Sequence, residues 1–333
     1  MELGKATLAI SAREFFELVR EDLQRVDQEI NLRSVASAGA ITAIGHYLHS
    51  SGGKRLRPAL LLLSARLSGN GGEAAIRLAA VVEMIHAATL VHDDVIDVAE
   101  TRRGRPSPNV LWGNHTSVLA GDWLYMEAFQ IALEQRNFSA LDILIGITQT
   151  MVEGELLQLE RLGSIAVTEA DYMDLVDRKT ASLFAACARL GALAGGASNE
   201  VVGRLGEYAW NLGMAFQLVD DVLDFTAHES VLGKPVGSDL KEGKVTLPLI
   251  YSIEAADAAE RQQVETILGD GDYARAPFSG ILALIERHRG IERAMRRAEV
   301  FTGKAREIIG GFPESPHQRA LQALTELVTS RDH

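Results

Sequence analysis

The sequence carries one short acidic pattern twice. His92-Asp93-Asp94-Val95-Ile96-Asp97 and Asp220-Asp221-Val222-Leu223-Asp224 both contain Asp-Asp-x-x-Asp. Each closes a long apolar-periodic stretch with the composition of a helix. Positions i and i+4 share a helix face, so Asp93 and Asp97 should project together, as should Asp220 and Asp224. Two such faces set opposite each other would gather several carboxylates around one cavity. That arrangement repels itself unless cations occupy it. Mg2+ is the natural candidate, because it prefers oxygen ligands and commonly takes one or two carboxylates together with substrate phosphates. One copy of the pattern could be a solvated acidic helix end; two copies in similar apolar frames point to a shared site.

Basic residues stand out against an acidic background, the formal net charge being -12. Gly52-Gly53-Lys54-Arg55-Leu56-Arg57-Pro58 runs into the apolar stretch Ala59 to Leu63. Gly-Gly makes a turn and Pro58 suits a first helical turn. The cations therefore cluster at a helix N-terminus, where free N–H groups and the dipole already favour anions. This is not a P-loop: Lys54 is followed by Arg55, and no strand precedes it. Thr101-Arg102-Arg103-Gly104-Arg105-Pro106-Ser107-Pro108 reads as a loop. Its arginines suit bidentate contact with phosphate oxygens, or simple neutralisation of the nearby aspartates. His86 lies two turns before Asp93 on the same face. Lys179-Thr180 interrupts an apolar helical face, and Gln217 precedes the second acidic pattern. The Gly-rich run Leu232 to Lys244, with Lys234 and Lys244, has the make-up of a flexible loop over a phosphate. Each feature alone has a bland reading: a solvated turn, a core histidine, a surface lysine, a linker. Together they suit a diphosphate substrate bridged by Mg2+, its apolar remainder lying along helix walls. No Ser-His-Asp or Cys-His set and no dinucleotide fingerprint is present. The chemistry implied is departure of a diphosphate group, with charge on the leaving oxygens stabilised electrostatically.

The elements that must position these residues are helices. The chain has 333 residues, 47% hydrophobic and 23% charged, the ordinary balance of a globular protein. After a Ser11-x-x-Glu14 capping box, Phe15, Val19, Leu23, Val26 and Ile30 recur at helical spacing. Further helices are expected over 38–50, 73–97, 115–136, 139–162, 168–194 (opening at a Thr168-x-x-Asp171 box) and 199–226. Thr246 and Pro248 open another, and amphipathic helices fill 255–333, with breaks at Gly269-Asp270-Gly271 and Gly310-Gly311. No strand rhythm appears, so the fold class is all-α. The reading is one domain over 1–333, with catalytic motifs in 52–248 and structural helices after 255. The lone cysteine, Cys187, leaves no intrachain disulfide or cysteine-based zinc cluster and fits a reducing cytoplasm. The acidic balance argues against a nucleic-acid partner. No apolar run of membrane-spanning length and no signal peptide is expected.

Taken in order, Gly-Gly-Lys-Arg-Leu-Arg-Pro, Leu-Val-His-Asp-Asp-Val-Ile-Asp, Arg-Arg-Gly, Lys-Thr, Phe-Gln-Leu-Val-Asp-Asp-Val-Leu-Asp and Gly-Lys-Pro-Val-Gly-Ser-Asp resemble the trans-type polyprenyl diphosphate synthases. The resemblance covers about 45–250. It implies an antiparallel helical bundle around a central cavity, usually homodimeric. It also implies head-to-tail condensation of isopentenyl diphosphate with an allylic prenyl diphosphate. By matched position, Lys54, Arg57, His86 and Arg103 would hold isopentenyl diphosphate. Asp93, Asp97 and Asp220 would be the leading Mg2+ ligands, assisted by Asp94, Asp221 and Asp224. Arg102, Lys179, Thr180, Gln217, Lys234 and Lys244 would hold the allylic diphosphate, and the loop around 227–243 would shield the allylic cation from water. The departing diphosphate would take the proton. The growing chain would run along the helix ending at Asp93. There Ala88 and Thr89 are small, where short-chain members carry an aromatic plug or an insertion in the motif. A long product of the octaprenyl class, for a quinone side chain, is therefore expected. Its floor would lie near Met84, Ile85 or Val81, or on a facing helix around 141–151. Product release would bring transient membrane contact. The rivals are a short-chain farnesyl or geranylgeranyl diphosphate synthase, a non-catalytic prenyl-diphosphate-binding subunit of a heteromeric synthase, and a terpene cyclase, which would not need the Gly52–Pro58 and His86 site.

Overall fold

The computed structural model describes residues 12–50, 55–226 and 236–329. Its elements are helices throughout, apart from one two-residue ladder. The chain begins with α1 (Ala12–Glu17), α2 (Arg20–Arg33), α3 (Gly39–Ser50), α4 (Leu56–Ser68) and α5 (Gly72–Ile96). After the ladder β1 (Thr101–Arg102) and β2 (Arg105–Pro106) come α6 (Pro108–Trp112), α7 (Asn114–Glu134), α8 (Phe138–Arg161) and α9 (Glu169–Val176). A π turn over Asp177–Ala181 leads into α10 (Ser182–Ala194), and α11 spans Asn199–Thr226. The remainder is α12 (Ser238–Lys241), α13 (Leu247–Ala255), α14 (Ala258–Asp270), α15 (Phe278–Arg287), α16 (Gly290–Gly310) and α17 (Pro316–Thr329).

The expected elements are present, with three differences. The first amphipathic stretch is two helices, because the chain turns at Leu18-Val19; Phe15, Val19, Val26 and Ile30 are nevertheless all buried. Ser11, half of its expected capping box, lies outside the described residues. The segment read as a loop after Asp97 holds an antiparallel hairpin, Arg102 opposite Arg105. Its two connecting residues, Arg103 and Gly104, have φ of 55° and 72°. Positive φ at both central positions matches the right-handed twist of a two-residue hairpin. The helix expected over 168–194 is broken by the π turn. Its start behaves as expected: Thr168 and Asp171 form a reciprocal capping box.

α5 lies at the centre, against α4, α7, α2 and α10. By length and composition it could cross a membrane, contrary to the sequence expectation, yet 61% of its most apolar window is buried inside the molecule. That apolarity is used in a core helix. Ala75, Ile76, Leu78 to Val82, Met84, Ile85 and Ala88 belong to an apolar core that runs from Phe15 to Val328. Burial at roughly 25 cal/mol per Å2 of apolar surface is what holds such a bundle together, since propensity alone contributes little. α5 and α11 both end at the same mouth of the bundle, and there the two acidic patterns sit.

Candidate active site

A cavity of about 890 Å3 opens between α5, α7, α8, α9, α10 and α11. α5 contributes His86, Thr89, Asp93 and Asp97, and α11 contributes Phe216, Gln217, Asp220 and Asp221. Arg57, Arg102, Arg103, Lys179, Thr180 and Lys244 line the same space. The two acidic helix ends therefore converge, as the repeated pattern required. Lys54 and Lys234, also expected here, lie outside the described residues, as does most of the 227–243 loop.

Two of the aspartates do not reach the cavity. Asp94 is fully buried, and its carboxylate accepts a bond from Arg102 Nε at 2.6 Å. Burial raises its pKa against the pull of Arg102. Arg102 is thus partly engaged in neutralising Asp94, the bland reading of its neighbourhood. Asp224, expected to share a face with Asp220, is buried under the returning chain. Its carboxylate accepts from Asp239 N at 3.3 Å and its carbonyl from Gly237 N at 2.8 Å. Helix periodicity gives a side chain's angular direction, but the segment that folds back over the end of α11 decides what lies there.

Asp93 and Asp221 feel the expected repulsion. Burial, with Glu155 and Asp97 near, pushes Asp93 up to about 6 in spite of Lys179 and Arg102. Burial with Asp239 and Asp220 pushes Asp221 up to about 8, although Tyr172 and Gln217 donate to it. Those bonds run Tyr172 Oη to Asp221 Oδ2 at 2.6 Å and Gln217 Nε2 to Asp221 Oδ1 at 2.7 Å, while Thr180 Oγ1 donates to Gln217 Oε1 at 2.8 Å. One chain of bonds thus links α9, the π turn and α11. Lys244 Nζ bridges Asp97 at 3.1 Å and Glu242 at 2.8 Å. Burial opposes that charge, but Glu242 and Asp97 hold the ammonium above its ordinary pKa.

The π turn places Lys179. Its start is tied to α11 by Trp210 Nε1 donating to Asp177 Oδ1 at 2.6 Å. α8 passes close because residue 154 is glycine: a Cβ there would lie 2.8 Å from Arg178 Cβ. Glu155 and Gln158 of α8 can then both hold the Lys179 ammonium, Gln158 Oε1 accepting at 3.0 Å. On the other side, Arg57 Nη1 meets His86 Nε2 at 3.1 Å, and the Arg57 guanidinium lies 5.4 Å from the Phe184 ring centroid. Burial, then Arg57 and Arg103, lowers the His86 pKa well below 6.5, so His86 is neutral and its Nε2 accepts from Arg57.

The apolar wall comprises Leu90, Val118, Met151, Val152, Leu156, Leu159, Leu183 and Phe216, with Tyr125. Of the expected chain-length residues only Thr89 lies on it. Ala88, Met84, Ile85 and Val81 are buried in the core, away from this cavity. On a helix, one residue turns the side chain by about 100°, enough to move Ala88 off the face that Thr89 shares with Asp93. Glu155, Gln158, Tyr172 and Asp239 line the cavity and were not singled out from sequence. They are isolated polar residues on amphipathic helices and in the loop, indistinguishable there from solvated positions.

The donor set fits a hard divalent cation: Asp93, Asp97, Asp220 and Asp221 offer only oxygen, with the pKa of two of them raised by lack of countercharge. Among the described residues no three His, Cys, Asp or Glu side chains converge closely enough to hold a cation by themselves. Such a cation must share ligands with a bound anion, as Mg2+ commonly does with phosphate.

Comparison with known proteins agrees. The chain is 37% identical over 324 residues to the octaprenyl diphosphate synthase of Haemophilus influenzae, covering 97% of this chain and 98% of that protein. It is 36% identical to a short chain isoprenyl diphosphate synthase of Methanothermobacter thermautotrophicus, covering 95% of each. The fold superposes on a decaprenyl diphosphate synthase from Rhodobacter capsulatus with a TM-score of 0.91 at 37% identity, covering 96% of this chain and 99% of that one. It superposes on a Caulobacter crescentus polyprenyl synthase, complexed with calcium and isoprenyl diphosphate, with a TM-score of 0.92 at 36% identity, covering 97% and 98%. The polyprenyl synthetase family model matches residues 39–284, and the chain belongs to that family.

Proposed function

We propose that this enzyme condenses isopentenyl diphosphate head-to-tail onto an E-configured allylic diphosphate, giving a long-chain polyprenyl diphosphate of the octaprenyl class for a quinone side chain. The observation that carries this reading is the meeting of Asp93, Asp97, Asp220 and Asp221 with Lys179, Lys244, Arg57 and Arg103 on one cavity whose other wall is apolar. Two separate cationic groups, around Lys179 and around Arg57, match two diphosphates. A terpene cyclase or a passive binding subunit has no use for both. Asp93, Asp97, Asp220 and Asp221 would hold Mg2+, which when bound withdraws charge from the leaving diphosphate. Lys179, held by Glu155 and Gln158, and Lys244, held by Asp97 and Glu242, would orient the allylic diphosphate. Arg57, Arg103 and His86 would orient isopentenyl diphosphate, and Phe216 and Leu183 would keep water from the allylic carbon. No side-chain base stands in the apolar part of the lining, so the departing diphosphate is left to take the proton.

A long product is supported by Thr89, a small residue one turn below Asp93, on the cavity wall. High identity to both long- and short-chain relatives means that overall similarity does not decide length, so the wall must. The reading includes a homodimer. Leu119, Met126 and Leu133 on α7 form one exposed stripe, and Ile145, Val152, Leu156 and Leu159 on α8 another. Val152, Leu156 and Leu159 also line the cavity, so a second copy seated there would complete its wall. The cytoplasm suits a protein with a single, buried thiol.

The test is direct. Purified protein with Mg2+, labelled isopentenyl diphosphate and farnesyl diphosphate should give elongated products, resolved by chromatography after dephosphorylation. Absence of elongation would overturn the reading; products ending at geranylgeranyl would favour the short-chain alternative.

A further inference from the structure

Behind Arg57 lies a cluster of charged groups that the proposed reaction does not use. Arg55 stands at the N-cap of α4 with φ 47° and ψ 31°, a left-handed conformation that a side chain with a Cβ disfavours. Its guanidinium reaches three helices. Nη1 donates to Glu83 Oε1 of α5 at 2.5 Å, Nη2 meets His49 Nδ1 of α3 at 2.9 Å, and Nη2 lies 3.3 Å from Asp27 Oδ1 of α2. Arg55 and Glu83 are largely shielded, their side chains 19% and 15% exposed. Glu83 and His86 share a face of α5, three residues apart. α5 therefore presents two partners side by side: Glu83 to Arg55, and His86 to Arg57. A gap of about 50 Å3 between them is lined by Glu83, Arg55, His86 and Arg103. Glu83 is also the carboxylate whose field favours the charged forms of both Arg57 and Arg103, against burial.

We propose that Glu83 is a positioning residue for the isopentenyl diphosphate site: through Arg55 it locks the start of α4, and so sets the reach of Arg57 beside Arg103. The proposal rests on the prenyltransferase reading above. Removing the carboxylate has two opposed effects. It makes the pocket more positive, which favours a diphosphate, and it frees Arg55, whose strained backbone is held only while its fork is engaged. The geometry makes the second effect dominate, because Arg57 lies just two residues after Arg55 on the same helical turn.

The test uses the full chain. In Glu83→Gln, KM for isopentenyl diphosphate should rise about 10-fold, while KM for the allylic substrate and kcat stay within about 2-fold. Arg55→Ala should behave alike, and the double variant should be no worse than Arg55→Ala, since the two act as one unit. An unchanged or lowered KM for isopentenyl diphosphate would overturn the proposal. So would a parallel rise in both KM values with a large drop in Tm, the signature of a scaffold role. If Glu83→Gln fails to fold, Glu83→Asp keeps the charge but withdraws it by one methylene. It should show the same selective rise, and an unchanged KM there is equally fatal. If the wild type elongates nothing, the synthase reading falls first. Calorimetric binding of isopentenyl diphosphate, weaker in Glu83→Gln than in wild type, then still decides the positioning role.

Discussion

Tyr172 contacts no cation-holding face directly, yet it fixes one of the two oxygens of Asp221 at 2.6 Å. Partners of this kind, one bond removed from a ligand, typically change metal affinity 10–100-fold when lost. Tyr172→Phe is therefore expected to raise the Mg2+ concentration for half-maximal activity by about 10-fold, with the fold unchanged by circular dichroism. His86 gives a second prediction at this scale. Burial and Arg57 lower its folded pKa below its ordinary 6.5. The unfolded chain then binds the extra proton first as pH falls. The stabilisation is complete above the unfolded value and is lost on acidification below it. The urea midpoint should fall between pH 7 and pH 5, and His86→Gln should flatten that fall. His49 and His317, also with lowered pKa, leave part of the slope in place.

At the scale of elements, much of the machinery depends on where backbones can approach. Gly154→Ala would push a methyl group into Arg178 on the π turn. The turn or α8 must shift, and Lys179 moves with it. Misplacement by an ångström can cost far more than an order of magnitude in rate. A drop in kcat/KM of about 10-fold or more, with only a small change in Tm, is expected; near wild-type kinetics would show that Lys179 tolerates the shift. Such close approaches explain what was legible in the sequence. Asp93, Asp97 and Asp220 could be read because they end long periodic helices, whose phase is fixed by many apolar residues. Lys179 and Thr180 could be noticed as a polar interruption, but the π turn that aims them could not. It depends on Trp210 and on α8 passing at Gly154, contacts far apart in the chain. Asp94 and Asp224 were misplaced for a related reason: their surroundings come from Arg102 and from Asp239, not from their own helix. The C-terminal helices, read as structural, reach the site too. Tyr273 Oη donates to the carbonyl of Gly237 at 2.6 Å, anchoring the segment that carries Asp239 and Lys244.

For the whole molecule, the cavity and the exposed stripe on α7 and α8 are one surface. Leu119 and Met126 are 64% and 63% exposed in the single chain. Exposed apolar area of this extent usually marks an interface. Leu119→Glu with Met126→Glu should convert a dimer to a monomer in light scattering behind size exclusion; an unchanged mass would place the interface elsewhere. The same wall governs product length. Thr89→Tyr should shorten the main product, whereas Ala88→Tyr, directed into packed core, should lower Tm more than it changes product length. Chromatography of dephosphorylated products, set beside melting curves, separates the two.

The π turn at Asp177–Ala181 has a consequence for how this chain can vary. A wide turn of this kind is an α-helix holding one residue too many. Remove any one of those five and the coil would tighten, swinging everything downstream by about 100°. Leu183 and Phe184 would then trade places around the axis, and the seam between α10 and α4 would no longer close. Length here is thus under stricter control than composition: exchanges on the outer side can be absorbed, a single-codon deletion cannot.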